Sequence, residues 1–411
     1  ASRRGRLLLT PGVRLLRQAL AVGRHGRLGV MRVLIVSDCY APRLGGIETQ
    51  VRDLARNLRL ADHEPAVVTA TPVGDNRGRS VERVDGFPVF RTSVRLPSEL
   101  PVHPRAGREL DDLMSRLRPD VVHAHVGIVS PFAWSGIAAA RRAGLPLAVT
   151  FHCVLGRWAP VAGVLGPVSP VRGWQRSGAD LTAVSSMLAA EVRRAGAHDP
   201  VTVLPNGITI DDWRLERPGP EERRPHRPVT VVASLRWIER KRPLQVVRAF
   251  AQAVRSTPGC DAVLAMYGDG PLRDRLAREV ADSGLSERIS LVGRVERSEL
   301  ARAFTHADIY LQTSPADSFG ISTLEARSAG LAVVALRSSG VSDFVTDGVD
   351  GLLADDDAGL ARELAALLGD DELLERIKAH NYEIAPLPEW GSVVQMNVEA
   401  YRRAIDLKGA R

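Results

Sequence analysis

The chain has 411 residues, 45% apolar and 25% charged, which suits a soluble globular protein of two or three domains. Three widely spaced cysteines, Cys39, Cys153 and Cys260, form no metal-ligand pattern, and their odd number argues against a disulfide framework and for a reducing, cytoplasmic compartment. The net charge of +7 does not signal a nucleic-acid partner: residues 1–30 hold seven arginines and no acid, and without them 48 basic residues face 48 acidic ones.

In chain order, residues 1–30 read as an extension outside the fold, because a strand follows directly on Met31. A competing reading is a basic amphipathic segment in peripheral contact with an anionic membrane, at the inner face of the cell membrane. Leu15, Leu16, Ala19 and Leu20 share a helical stripe, which Pro11 and Gly12 interrupt. The apolar run is too broken for a signal peptide, and no stretch is long enough for a transmembrane helix. Short β-branched runs predict strands at 33–37, 66–70, 121–124, 147–151, 181–184 and 201–204, with helices such as 48–60 and 186–195 between them. Strands alternating with helices imply βαβ units and a parallel sheet. Residues 214–228 carry four prolines, many charges and no apolar periodicity, the composition of a linker. A second series follows at 229–234, 262–267, 289–292, 309–313 and 331–336. The spacing of Trp390, Val394, Val398, Tyr401 and Ile405 predicts a last helix with those five residues on one face. The expected organisation is an α/β chain of two Rossmann-like domains, 31–213 and 229–389, with residues 390–411 packing back on the first.

In such folds ligands lie beyond the carboxyl ends of the strands, where helix N-termini point. Four motifs fall there. "RLGGIET" (43–49) puts Gly45 and Gly46 before a helix, allowing close backbone approach to an anion; a glycine turn entering a helix is the plainer reading, and the pattern is not the GxGxxG fingerprint. "DVVHAHVG" (120–127) places His123 and His125 on one face of a strand, open to polar contact or acid–base work, or to one buried hydrogen-bonded histidine. "SLRWIERKRP" (234–243) sets Arg236 and Lys241 at a loop-to-helix entry, a pair of cations suited to a diphosphate, or a solvated basic turn. "SPADSFGISTLEARSAG" (314–330) carries Asp317 ahead of a helix and Glu325 in its second turn. Both carboxylates could accept hydrogen bonds from vicinal hydroxyls, while N–H groups at Phe319, Gly320 and Ile321 could hold a phosphate. The plainer reading makes Asp317 a helix cap and Glu325 a surface residue. "LPNGI" (204–208) with Asn206, "YGDGP" (267–271) with Gly268, and "VGRVE" (292–296) with Arg294 end strands in glycine turns. "DDD" (355–357) reads as a cap.

Together and in this order, these pieces resemble glycosyltransferase family 4, from about Met31 to Ile405. The most specific block is Asp317-Ser318-Phe319-Gly320-Ile321-Ser322-Thr323-Leu324-Glu325, which is similar to the family's pair of glutamates seven residues apart. The resemblance implies two Rossmann-like domains facing across a cleft (GT-B) and retaining transfer of a sugar from a UDP- or GDP-linked donor. With Arg236, Lys241 and helix N–H groups to meet the charge and no Asp-x-Asp triplet placed to carry Mg²⁺ on a diphosphate, no metal and no cofactor are expected. The resemblance assigns Glu325 to the ribose, Asp317 to the donor sugar, and Arg236 and Lys241 to the diphosphate. Gly45 and Gly46 would lie near phosphates and sugar, His125 near the reacting sugar, and Arg294 near the base. Asn206, Gly268, Phe319, Gly320 and Ile321 join the donor-binding set, and His123 and His152 the acceptor side. Asp317 departs from the family by one methylene, which bears on the identity of the donor sugar. The acceptor (a glycan, a lipid-linked sugar or a small molecule) is not legible. The uncharged segment 158–171 could line an apolar acceptor site or be a buried connection. Alternatives are a nucleotide-sugar epimerase and a non-catalytic nucleotide-sugar-binding protein.

Overall fold

The computed structural model of the chain describes residues 29–43, 45–74, 78–93, 103, 105–156, 169–215, 227–386 and 388–410. Residues 1–28, most of the expected linker and residues 158–168 therefore lie outside the described residues. Two compact units are present: one runs up to Gly207 and includes the helix Trp390–Gly409, and the other is Ile208–Glu389.

The first unit contains β1 (Arg32–Ser37), β2 (Glu64–Thr69), β3 (Gly78–Val84), β4 (Phe87–Ser93), β5 (Val121–Val126), β6 (Leu147–Phe151), β7 (Ala179–Ala183) and β8 (Thr202–Val203). They form one sheet in the order β3-β4-β2-β1-β5-β6-β7-β8, parallel except for the antiparallel β3–β4 edge. Every residue of β5, β6 and β7 is buried, as a strand covered on both faces requires. The β3–β4 hairpin was not foreseen. β3 (GRSVERV) is charged and mostly exposed, so it lacks the apolar run that marks the central strands.

The second unit contains β9 (Val229–Ser234), β10 (Ala262–Tyr267), β11 (Ile289–Gly293), β12 (Ile309–Gln312), β13 (Ala332–Leu336) and β14 (Gly351–Ala354). Their order is β11-β10-β9-β12-β13-β14, all parallel. The four-residue β14 was also unforeseen, its run being too short to stand out.

Two boundaries differ from expectation. The chain leaves the first unit at Gly207 rather than after Trp213, because Ile208 pairs with Glu389 and Trp213 packs on Phe304, with ring centroids 5.7 Å apart. The last helix does join the first unit's core, where Trp390, Val394, Val398 and Tyr401 pack among Val33, Ile35 and Tyr40. Ile405, however, is 37% exposed, and Ala404 takes the inner position. Among the described residues no helix is long and apolar enough to cross a membrane.

Candidate functional site

Strand order locates each unit's switch point. From β1 the first sheet grows to β2 on one side and to β5 on the other; from β9 the second grows to β10 and to β12. In open parallel sheets ligands bind beyond the carboxyl ends of the strands at such a switch point, here β1/β5 and β9/β12.

At the first switch point Asp38 follows β1 directly. Its buried carboxylate accepts the Phe132 and Ala133 N–H groups at 3.0 and 3.3 Å, at the start of the helix Pro131–Arg142. Burial pushes its pKa up to about 6, against the opposing hydrogen bonds from Phe132, Ala133 and Ser130. On β5, His125 Nδ1 lies 2.7 Å from His152 Nε2. Burial drives both imidazoles neutral, His152 down to about 4 and His125 well below its usual value, where the neighbouring His123 and His152 add to the effect. His125 Nε2 is buried with no partner among the described residues. His123 does share a face with His125, but its Nδ1 lies 2.9 Å from Tyr401 Oη and its Nε2 2.7 Å from Thr150 Oγ1. Only 1% exposed, with its pKa lowered to about 3 by burial, it is a core histidine, and the acceptor-side assignment does not suit it. Gly45 is the N-cap of the helix Gly46–Leu60 and carries no side-chain cap. Asn206 is buried beside Gly207, whose N–H and C=O are held by the Gln50 side chain at 2.9 and 3.0 Å.

At the second switch point the loop after β9 turns through a short 3-10 helix, Glu239–Lys241, into the helix Pro243–Ser256. That turn is stapled to the end of β12: Ser314 Oγ donates to the Arg240 carbonyl at 3.1 Å and Thr313 Oγ1 to the Arg242 carbonyl at 3.2 Å. Arg242 in turn donates to the Thr313 carbonyl and pairs with Asp357. The staples hold Lys241 where its Nζ lies 2.9 Å from Asp317 Oδ2, while Asp317 Oδ1 accepts the Gly320 N–H at 3.1 Å. Both carboxylate oxygens are thus engaged inside the protein. Arg236 is exposed at the start of the same loop. Gly320 has φ 91°, and a Cβ there would stand 2.6 Å from Val341, so glycine is needed to start the helix Ile321–Ser328. Gly320 as N-cap offers no side-chain cap to this helix, whose first N–H groups lie outside its own hydrogen-bond ladder. Glu325 sits in its second turn, buried, with Arg297 Nη2 at 3.5 Å from Oε1. Phe319 is buried against Phe344, so only its backbone is available to a ligand.

Gly268 acts by close approach. With φ 135°, its backbone runs so near the loop after β9 that a Cβ would lie 1.9 Å from the Leu235 carbonyl oxygen. Arg294 is exposed directly after β11. The "DDD" reading holds for Asp356, whose side chain accepts the Gly359 N–H and caps the helix Asp357–Gly369.

Within the second unit the structure brings together Lys241, Asp317, Gly320 and Glu325, from segments far apart in sequence. Asp38, Gln50, Trp213, Arg297 and Tyr310 were missed. Tyr310 Oη donates to the Ser234 carbonyl at 3.0 Å, tying β12 to the loop that carries Arg236. A carboxylate directly after β1 was a readable signal for Asp38; the other four depend on tertiary contacts. Among the described residues no cluster of three or more His, Cys, Asp or Glu is arranged to hold a metal.

Comparison with known proteins agrees with this layout. Residues 44–212 match the family model described as Glycosyltransferase Family 4, and residues 219–384 match that of Glycosyl transferases group 1. The chain is 24% identical over 380 residues to the alpha-monoglucosyldiacylglycerol synthase of Acholeplasma laidlawii, covering 87% of this chain and 93% of that one. It is 28% identical over 410 residues to the glycogen synthase of Mycobacterium tuberculosis H37Rv, with 91% and 95% covered. Among solved structures, Anabaena HepE in complex with UDP and glucose superposes with a TM-score of 0.68 at 19% identity, over 90% of this chain and 98% of that one.

Proposed function

The chain belongs to glycosyltransferase family 4, the group 1 glycosyl transferases with the GT-B fold, and on that premise we propose that it moves a hexose from a UDP- or GDP-linked donor to an acceptor with retention of configuration. The observation that carries the donor assignment is the Lys241–Asp317 pair at the β9/β12 switch point, flanked by the uncapped helix start at Ile321 and the buried carboxylate of Glu325.

Breaking the bond between the anomeric carbon and the diphosphate leaves negative charge on the departing phosphate oxygen. Lys241, Arg236 and the N–H groups at the start of the helix Ile321–Ser328 are the groups that stabilise it. A preorganised donor of this kind is worth roughly 3–4 kcal/mol in the transition state. An ammonium has three N–H donors, so Lys241 can serve a phosphate oxygen while it still holds Asp317. In this reading Asp317, still held by Lys241, uses its remaining lone pairs to accept the sugar hydroxyls, Glu325 accepts the ribose hydroxyls, and Arg294 lines the base. The neutral His125 offers its Nε2 to the reacting sugar. Cationic side chains and helix N–H groups take the part a divalent metal plays elsewhere, so transfer proceeds without one. The acceptor remains open between a glycan, a lipid-linked sugar and a small molecule; the lipid-glycosylating relative from Acholeplasma laidlawii favours testing a lipid first. The odd cysteine count fits action in the cytoplasm.

The test is a thermal-shift screen against nucleotide sugars, followed by a transfer assay with the ligand that stabilises most. A rise in melting temperature with one donor, and its loss in Lys241→Ala, supports the reading. No stabilisation by any UDP- or GDP-sugar overturns it.

A further inference from the structure

Arg297 is the first residue of the helix Arg297–Thr305, four positions after Gly293 at the end of β11. A capping box fixes that helix start, with Glu296 as N-cap and the Glu299 side chain accepting the Glu296 N–H at 3.1 Å. The Arg297 guanidinium lies over the indole of Trp213, 5.1 Å from the ring centroid. Trp213 is itself immobilised, 1% exposed and packed on Phe304 of the same helix. From this perch Arg297 Nη2 reaches 3.5 Å from Glu325 Oε1. The two ends differ in exposure, with the Arg297 side chain 43% accessible and that of Glu325 only 10%.

We propose that Arg297 is the positioning residue for Glu325, holding that carboxylate oriented for the two ribose hydroxyls of the donor nucleotide. The proposal rests on the assignment of Glu325 to the ribose made above. A nearly buried carboxylate pays heavily for lost hydration unless a countercharge faces it. Arg297 supplies that charge, with Nη2 3.5 Å from Oε1. The cation–π contact with the indole helps hold the guanidinium in place. A ribose hydroxyl then meets a carboxylate whose direction is already set.

The experiment is calorimetry of the full chain with UDP and with 2′,3′-dideoxy-UDP, or with the corresponding guanosine pair if GDP is the nucleotide that stabilises the fold. Wild-type protein is expected to prefer the ribose form by about tenfold or more, the value of a hydrogen bond to a charged group. Arg297→Ala should erase most of that preference by weakening the ribose form while leaving the dideoxy form unchanged. Arg297→Lys keeps the charge without the flat fork and should recover part of it. Adding Glu325→Gln to Arg297→Ala should cost little further, because both act on one contact. Equal weakening of both nucleotides in Arg297→Ala, or an intact preference, overturns the role of Arg297. If wild-type protein binds both forms alike, the ribose assignment of Glu325 fails, and this proposal with it. Should the alanine variant not fold, Arg297→Gln carries the same comparison.

Discussion

Replacing Asp317 by Asn tests how the ligand-free site is balanced. Lys241 and Asp317 lie 2.9 Å apart with side chains 21% and 20% exposed, so the pair is partly screened, and its net stabilising effect is at most about 1 kcal/mol. Asn keeps an oxygen for the Gly320 N–H and a size close to Asp, so the fold should survive. The larger effect falls on the ligand. An ammonium that bridges a phosphate and Asp317 leaves the two anions roughly 6 Å apart. Coulomb's law at that separation gives about 0.7 kcal/mol per unit charge in water and about 3 at an effective dielectric near 20. A value of about 1 kcal/mol suits this exposure. Asp317→Asn should therefore bind free nucleoside diphosphate about fivefold more tightly. The gain should shrink as salt rises. Turnover with the full donor should fall, since the amide cannot make charge-assisted bonds to the sugar. Paired calorimetry and transfer kinetics measure both. Weaker nucleotide binding by the Asn variant at low salt would refute the bridging arrangement.

Asp38→Asn should flatten the stability profile between about pH 4 and pH 6. The folded pKa is raised, so ionisation penalises the fold as pH climbs through that window, and a melting series that keeps the wild-type slope would contradict it. The buried histidines act in the opposite direction: His123 and His152, neutral when folded, contribute stability above about pH 6.5 that is lost as pH falls toward 3–4. His123→Gln should reduce that acid loss while leaving nucleotide affinity unchanged; a large fall in affinity would place His123 in the donor site after all. Gly268→Ala puts a Cβ 1.9 Å from the Leu235 carbonyl at a positive φ, and should lower the melting temperature by several degrees and weaken donor binding together. Wild-type stability and affinity in that variant would show that the loop after β9 tolerates displacement. EDTA should leave transfer unchanged, and rescue of a lost activity by Mg²⁺ or Mn²⁺ would show that a metal carries the diphosphate.

Most of the architecture was open to sequence reading, for a local physical reason. A strand of a parallel sheet is covered on both faces, so β1, β6, β9 and β13 announce themselves as runs of mainly apolar and β-branched residues, and β5 does so around its two histidines. The same rule hid β3, whose exposed charged face erases the run, and the stripe drawn on the last helix ran one residue too far, since Ala404 is buried and Ile405 is partly exposed. Lys241, Asp317 and Glu325 could also be singled out as site candidates from residue type and position near strand ends and helix starts. Their partners could not. Lys241 meets Asp317 across 76 residues of chain, Arg297 reaches Glu325 from another helix, and His123 is drawn into the core by Tyr401 from 278 residues away. Hydrophobic periodicity is written along the chain, residue by residue. Which charge faces which is set only when strand order and loop closure bring distant segments within about 3–4 Å, and that was decided by the tertiary structure.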